Sequence, residues 1–120
     1  MAVIDADADE YIILAQLLME AQQTDEAIKI LELARGKFPE SGKIEMLLGH
    51  AYMEKEMMHT AAYLFKQGAY QDRQYLKDAV EMHRRIKDYS HAIFLNAQMS
   101  DKVEKLKQLV AIVLERGEYE

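Results

Sequence analysis

One pattern of residues occurs twice in the sequence, 34 positions apart. The pattern combines large apolar residues with small ones. Its matching pairs are Leu14 and Leu48, Ala15 and Gly49, Leu18 and Tyr52, Ala27 and Ala61, Leu31 and Phe65, and Ala34 and Gly68. A fixed period of tens of residues is typical of repeat architectures, in which similar units stack on each other. The sequence therefore predicts a stacked repeat.

Each unit carries the pattern of two helices. In its first half, a large, a small and a second large residue lie at positions i, i+1 and i+4, as in Leu14, Ala15 and Leu18. Helical periodicity places these residues on one face, and the small residue lets a neighbouring helix approach closely. Ala27 and Ala61 predict a second close crossing in the second half of each unit. A single hairpin cannot bury such a face alone, so we expect the units to stack.

This spacing resembles the tetratricopeptide repeat, and the resemblance covers residues 8–70. The first unit matches through Tyr11, Leu14, Ala15, Leu18, Ala27, Leu31, Ala34 and Pro39, and the second through Leu48, Gly49, Tyr52, Ala61, Phe65 and Gly68. Leu18 and Leu31 replace aromatic residues of the family pattern, Glu45 replaces its opening aromatic, and Arg73 replaces its closing proline. The resemblance implies an all-α fold, a right-handed α-solenoid of antiparallel helix hairpins. It identifies a scaffold rather than a function.

Composition limits the classes of function. The 120 residues carry a formal net charge of −6, which argues against a general nucleic-acid binder, because such proteins need excess Lys and Arg. The sequence contains no cysteine, so it has neither a disulfide framework nor a thiolate metal site. No apolar run approaches the roughly 20 residues needed to span a bilayer, so we predict no direct membrane insertion.

The pattern predicts about seven helices in a single domain, 1–120, after a frayed lead-in at residues 1–7. Helices are expected at about 8–21, from the cap at Thr24 to near Lys37, and at about 42–55, 58–70, 73–86 and 89–99, with a seventh after residue 100. The predicted N-caps are Thr24, Ser41, Asp72 and Ser100, whose side-chain oxygens accept hydrogen bonds from a first turn. The helices form three units, at about 8–40, 41–72 and 73–99, and the first helix of a fourth, at about 100–120.

The third unit is degenerate, and the interval between units shortens. Ala92 fills its small crossing position, so the first-helix pattern falls on Ala79, Val80 and His83. The interval becomes about 31, from Ala61 to Ala92. It then becomes about 30, because the segment 117–120 matches the turn at 87–90. We expect a fragment of a longer array, in which the apolar residues Leu106, Leu109, Val110 and Val113 are only half covered. The alternative is that the seventh helix is itself the cap.

In the resembled family, the first helices of the units line a concave groove that binds partners. The residues predicted to face this groove are Ile12, Gln16, Met19, Glu20, Met46, His50, Met53, Glu54, Lys77, Glu81, Arg84 and Arg85. The groove is expected to run from soft and apolar at one end to basic at the other. Flexible, polarizable methionines suit the binding of a helix or an extended peptide. The alternative is that they fill irregular packing between units.

Two more specific binding chemistries are disfavoured. Family members that grip a C-terminal carboxylate use Lys, Asn and Arg, whereas Ile12, Gln16 and His50 hold matching positions here. Met46, His50 and Met53 share a helical face with ligand types that suit Cu(I). Methionine-rich helices more often serve packing, so no metal site is predicted. His83 lies on an apolar stripe and is predicted to be a hydrogen-bonded core histidine.

No sequence motif for catalysis or for phosphate binding is present, so the chain is predicted to be neither an enzyme nor a cofactor binder. The favoured function is a non-catalytic protein–protein interaction scaffold that binds a peptide or helix in its groove. The alternative is a self-assembling segment of a larger scaffold. Long arrays of the resembled repeat occur in bacterial envelope scaffolds, including exopolysaccharide-export and pilus-assembly proteins. The expected compartment is the cytoplasm for a full chain, and the periplasm is an option for a fragment.

Overall fold

The computed structural model describes residues 6–117, and all regular secondary structure in this range is helical. Its α-helices are α1 (Ala8–Glu20), α2 (Thr24–Lys37), α3 (Gly42–Glu54), α4 (Met58–Gln71), α5 (Leu76–Arg85), α6 (Tyr89–Asn96) and α7 (Lys102–Arg116). A 3₁₀ turn at Arg73–Tyr75 precedes α5. The predicted all-α class is confirmed. Residues 1–5 of the predicted lead-in lie outside the described residues, and so do residues 118–120 of the segment that matches the turn at 87–90.

Side chains cap two of the early helices. Ser41 Oγ accepts a hydrogen bond from the Ile44 N–H at 3.3 Å, which confirms Ser41 as the N-cap of α3. Asp7 was predicted to belong to a frayed lead-in, but it forms a capping box with Glu10 at the start of α1. The lead-in prediction is therefore wrong at its last residue.

Two predicted N-caps are wrong, each by one residue. Helix α2 already includes Thr24, whose hydroxyl donates to Glu54 Oε2 at 2.8 Å and does not cap the helix. Helix α7 is capped by Asp101, which accepts from the Glu104 N–H at 3.1 Å, and not by Ser100. A carboxylate is favoured there because it also complements the positive end of the helix dipole.

The fifth and sixth helices are shorter than predicted. Asp72 accepts from the Gln74 N–H at 3.1 Å, but the turn that it caps is 3₁₀, and α5 begins only at Leu76. Helix α6 ends at Asn96 instead of near residue 99. The Asn96 side-chain amide donates to the Lys105 carbonyl at 3.0 Å. This bond connects the C-terminal end of α6 to α7.

Left-handed backbone conformations mark the turns that end α1, α3, α5 and α7. The four residues, Gln22, Glu56, Lys87 and Gly117, have φ of 62°, 62°, 63° and 75°, and are 34, 31 and 30 positions apart. In the first three turns the next N–H bonds the carbonyl five residues back, from Gln23 to Leu18, from Met57 to Tyr52 and from Asp88 to His83. This is the Schellman pattern of a helix C-terminus. The predicted shortening of the interval is confirmed at these turns.

Each helix packs on the next helix in the chain, and α1 also contacts α3, as α5 contacts α7. The molecule measures 58 × 27 × 19 Å along its principal axes. One buried cluster, which includes Tyr11, Leu31 and Leu48, joins α1, α2 and α3 and also includes Leu64 of α4. A second, which includes Phe65 and Leu95, extends from α3 to α7. Two successive cores therefore hold the helices together.

Candidate functional site

A small cleft between α3 and α5 brings together four of the predicted groove residues. The cleft has a volume of about 150 Å³. It is lined by His50, Met53, Phe65, Asp78, Glu81, Met82 and Arg85, and we call this set the α3–α5 cleft. His50, Met53, Glu81 and Arg85 are the members that the sequence predicted.

Helical spacing explains why these side chains converge. His50 and Met53 lie three residues apart on α3, so they are neighbours on its surface. Asp78, Glu81 and Arg85 follow the i, i+3, i+7 spacing along α5 and therefore occupy one face of that helix. Both helix faces contribute side chains to the lining of the cleft.

The floor of the cleft is apolar. Phe65, from α4, and Met82, from α5, are both buried in the second core cluster. The exposed His50 ring lies 5.0 Å from the Phe65 ring, centroid to centroid, at an interplanar angle of 60°. Met53 is half-buried and packs against the same cluster. An apolar group that enters the cleft would therefore meet aromatic and thioether surface.

The rim of the cleft carries charge of both signs. Asp78 and Glu81 contribute two carboxylates, and Arg85 contributes one guanidinium. All three side chains are exposed. The prediction that this end of the groove is basic is therefore wrong for the cleft itself, whose charged groups are two carboxylates and one guanidinium.

Lys77 and Arg84, which were predicted to face the groove, contact α7 instead. Arg84 Nε donates to Glu115 Oε1 at 2.6 Å, and Arg84 Nη1 donates to Gln108 Oε1 at 2.7 Å. Lys77 Nζ lies 3.5 Å from Glu104 Oε1. One step along a helix turns a side chain by about 100°, so Arg84 and Arg85 point to different neighbours.

Two other predicted groove residues belong to the core. Ile12 and Met46 are both buried. A Cβ atom added at Gly68 would lie 3.0 Å from Met46 Sδ, which shows how closely this side chain packs on α4. Ile12 lies in the cluster that joins α1, α2 and α3. Their prediction as exposed groove residues is wrong because neighbouring helices cover a wider part of α1 and α3 than the apolar stripe indicates.

The remaining predicted residues do not line the cleft. Gln16 and Met19 are half-buried on α1, and Glu20 is exposed near its C-terminal end. Glu54 is exposed and accepts the Thr24 hydroxyl hydrogen bond. The α3–α5 cleft thus includes residues of the predicted second and third units and none of the first.

Three cleft residues were missed as site residues by sequence reasoning. Asp78 lies one helical turn before Glu81, and this spacing would have identified it. Phe65 was assigned only to packing between units, although its ring also forms part of the cleft floor. Met82 gave no usable signal, because its side chain is buried and only borders the cleft.

The size of the cleft limits its chemistry. Pockets for small molecules usually measure about 300–1,000 Å³, so a volume of about 150 Å³ suits a single amino-acid side chain better. Among residues 6–117, no three His, Cys, Asp or Glu side chains are grouped so that they could hold a metal ion. The cleft is therefore about the size of one amino-acid side chain.

Outside the cleft, two histidines and one aspartate lie close together on α5 and at the start of α6. His83 is buried, and its Nδ1 lies 2.8 Å from the Ala79 carbonyl oxygen, which confirms the predicted core histidine. Its ring lies 5.4 Å from that of His91, whose Nδ1 is 2.8 Å from Asp88 Oδ2. Burial lowers the pKa of His83. Burial raises the pKa of Asp88, but hydrogen bonds from His91 outweigh it, and the pKa lies below its ordinary value.

Comparison with known proteins adds no family assignment. No protein-family model matches the chain, and a search of curated proteins also finds no match. Within the described residues, none of the helices combines the length and the apolar character required to cross a bilayer.

Proposed function

We propose that this chain is a non-catalytic protein-interaction module whose α3–α5 cleft receives one anchor side chain of a partner peptide or helix. The observation that carries the proposal is the convergence of α3 and α5 around an apolar floor with a charged rim. Phe65 and Met82 offer desolvated contact surface, and Met53 offers a flexible thioether. Such an apolar anchor surrounded by polar contacts is the common arrangement of a binding hot spot.

The charged side chains at the rim of the cleft select the charge of the partner residue that lies next to the anchor. Asp78 and Glu81 lie on one face of α5, so a Lys or Arg beside the anchor would find two carboxylates. Arg85, on the same face, would donate hydrogen bonds to an acidic residue or to a carbonyl oxygen. We therefore propose a ligand that combines a medium-sized apolar side chain with an adjacent basic residue.

The proposed scaffold is a right-handed solenoid of tetratricopeptide-like hairpins. The recurrence of one turn geometry at residues 22, 56 and 87 supports this proposal, because equivalent hairpins require equivalent turns. The packing of each helix on the next supports it as well. In such a solenoid the first helix of each unit lines one surface, which is where α3 and α5 would form the cleft.

A peptide-display selection followed by calorimetry tests the proposed function. The expected result is the enrichment of peptides with an apolar residue next to Lys or Arg, and the loss of their binding in His50→Lys and Met53→Lys, because a positive charge in the cleft would repel the basic residue of the peptide. The matched control is His59→Lys, which makes the same change at an exposed histidine in the first turn of α4. An unenriched library, or equal binding by the His50 and His59 variants, would show that the cleft is not the binding site.

A further inference from the structure

Helix α7 presents an uncovered apolar stripe. Val103, Leu106, Val110 and Leu114 are 63%, 59%, 57% and 56% exposed, and their spacing of three, four and four residues places them on one face. The opposite face, with Gln108 and Ile112, is buried. The residues 30 positions earlier than Leu106 and Val110 are Leu76 and Val80, which are buried in α5. The same kind of helix face is therefore covered in α5 and open in α7.

Helix α1 presents a smaller uncovered stripe at the other end of the molecule. Ile13 and Leu17 are 55% and 56% exposed, and they lie one helical turn apart. The residues 34 positions later, Leu47 and Ala51, pack into the cluster that joins α1, α2 and α3. The corresponding face of α3 is thus covered by the preceding helices, whereas this face of α1 is open.

The two open faces carry opposite charge. Helix α1 contains Asp9, Glu10 and Glu20 and no basic residue. Helix α7 contains four basic residues and two acidic ones, and Lys107 lies beside Val103, Leu106 and Val110 on the open face. Two copies of α7 would bring like charges together, but α7 and α1 of different copies would bring opposite charges together.

We infer that α7 of one molecule docks on α1 of a second copy, with Val103, Leu106, Val110 and Leu114 against Ile13 and Leu17. Helices α1 and α7 lie at opposite ends of the succession of packed helices. The contact joins two different surfaces and is therefore heterologous, so it adds molecules in one direction and yields chains or rings rather than closed dimers. This inference is independent of the α3–α5 cleft.

Sedimentation velocity with two complementary variants tests the inference. The α7 variant is Leu106→Gln/Val110→Gln, and the α1 variant is Ile13→Gln/Leu17→Gln; each removes apolar surface without adding charge. The wild-type chain should form species larger than a dimer as its concentration rises. Each variant alone should remain monomeric, and an equimolar mixture should form a dimer, because one intact α7 face meets one intact α1 face.

Other outcomes would overturn the inference. A monomeric wild-type chain, an α1 variant that still dimerises, or a mixture that stays monomeric would each exclude the head-to-tail contact. Phe94→Gln is the matched control, because Phe94 is 58% exposed but lies near Tyr70 and His91 on another surface. It should associate like the wild type, and circular dichroism should show native helix content for all variants.

Disulfide cross-linking provides a second readout that does not depend on removing apolar side chains. The chain contains no cysteine, so Ile13→Cys and Val110→Cys each introduce a single thiol. On mixing and mild oxidation, cross-links between the two variants should form faster than cross-links within either variant. Preferential linking of two Val110→Cys chains would contradict the inference, since it would indicate a symmetric α7 dimer.

Discussion

Gly49 of α3 lies directly against the ring of Phe65 of α4, and a Cβ atom added at Gly49 would overlap that ring. The equivalent pair 34 residues earlier is Ala15 and Leu31, both buried in the first core cluster. The second unit thus combines the larger side chain, Phe65, with the smaller residue, Gly49. The two positions in each unit are adjusted to fill one volume.

We predict that Gly49→Ala lowers the free energy of unfolding by about 1–3 kcal/mol, because overpacking forces the Phe65 ring or the helix backbone to move. Adding Phe65→Leu recreates the Ala15 and Leu31 combination and should restore about 1 kcal/mol. Urea denaturation of the single variants and the double variant measures both effects. If Phe65→Leu destabilised Gly49→Ala as much as it destabilises the wild type, the two residues would be independent and the interpretation would be wrong.

The Arg35 and Glu45 pair gives a second prediction. Glu45 is buried, and its Oε1 accepts a hydrogen bond from Arg35 Nε at 2.8 Å. Burial lowers the pKa of Arg35, but the hydrogen bond and charge of Glu45 outweigh it and raise that pKa. Arg35→Met leaves the carboxylate without its cation and should cost about 2 kcal/mol, whereas Arg35→Met/Glu45→Met should be close to the wild type. Thermal unfolding that ranks the double variant below Arg35→Met would contradict this.

A third prediction concerns the strained turn at Glu56. Its φ of 62° is left-handed, and a non-glycine residue there costs about 1–2 kcal/mol. Glu56→Gly removes this strain but gives the unfolded chain more freedom, so we expect a net stabilisation of about 0.5–1 kcal/mol. The control is His59→Gly, in the first turn of α4, which should destabilise the protein. Equal destabilisation by both glycines in urea denaturation would show that the turn stores no strain.

The sequence predicted those features that depend on local spacing. The intervals between turns follow from the period of the repeat, and the small residues at helix crossings follow from positions within one hairpin. The errors at Ile12 and Met46 arise because burial of a helix flank depends on several neighbours, which local spacing does not describe. Arg84 and Arg85 have the same chemistry, and the sequence alone did not show that α7 lies on the side of Arg84, where Glu115 and Gln108 accept its hydrogen bonds.

The last prediction concerns the response to acid of the buried His83. Unfolded, it takes up a proton near its ordinary pKa of 6.5, whereas burial lowers the folded pKa. The hydrogen bond to Ala79 and the charge of Asp88 oppose this lowering, and His91 and Lys66 add to it. The unfolded chain therefore binds more protons below about pH 6.5, and His83 makes the protein less stable as the pH falls.

His83→Gln should remove this part of the acid sensitivity. Between about pH 7 and about pH 5, the free energy of unfolding should fall less steeply in His83→Gln than in the wild type. The matched control is His59→Gln, which makes the same change at an exposed histidine. Asp88 affects stability only at lower pH, because its stabilising charge is lost as the pH falls from its ordinary pKa of 3.8 through its lower folded value. Urea denaturation at a series of pH values measures each slope, and equal slopes in the wild type and His83→Gln would show that the buried imidazole is not the acid-sensitive group.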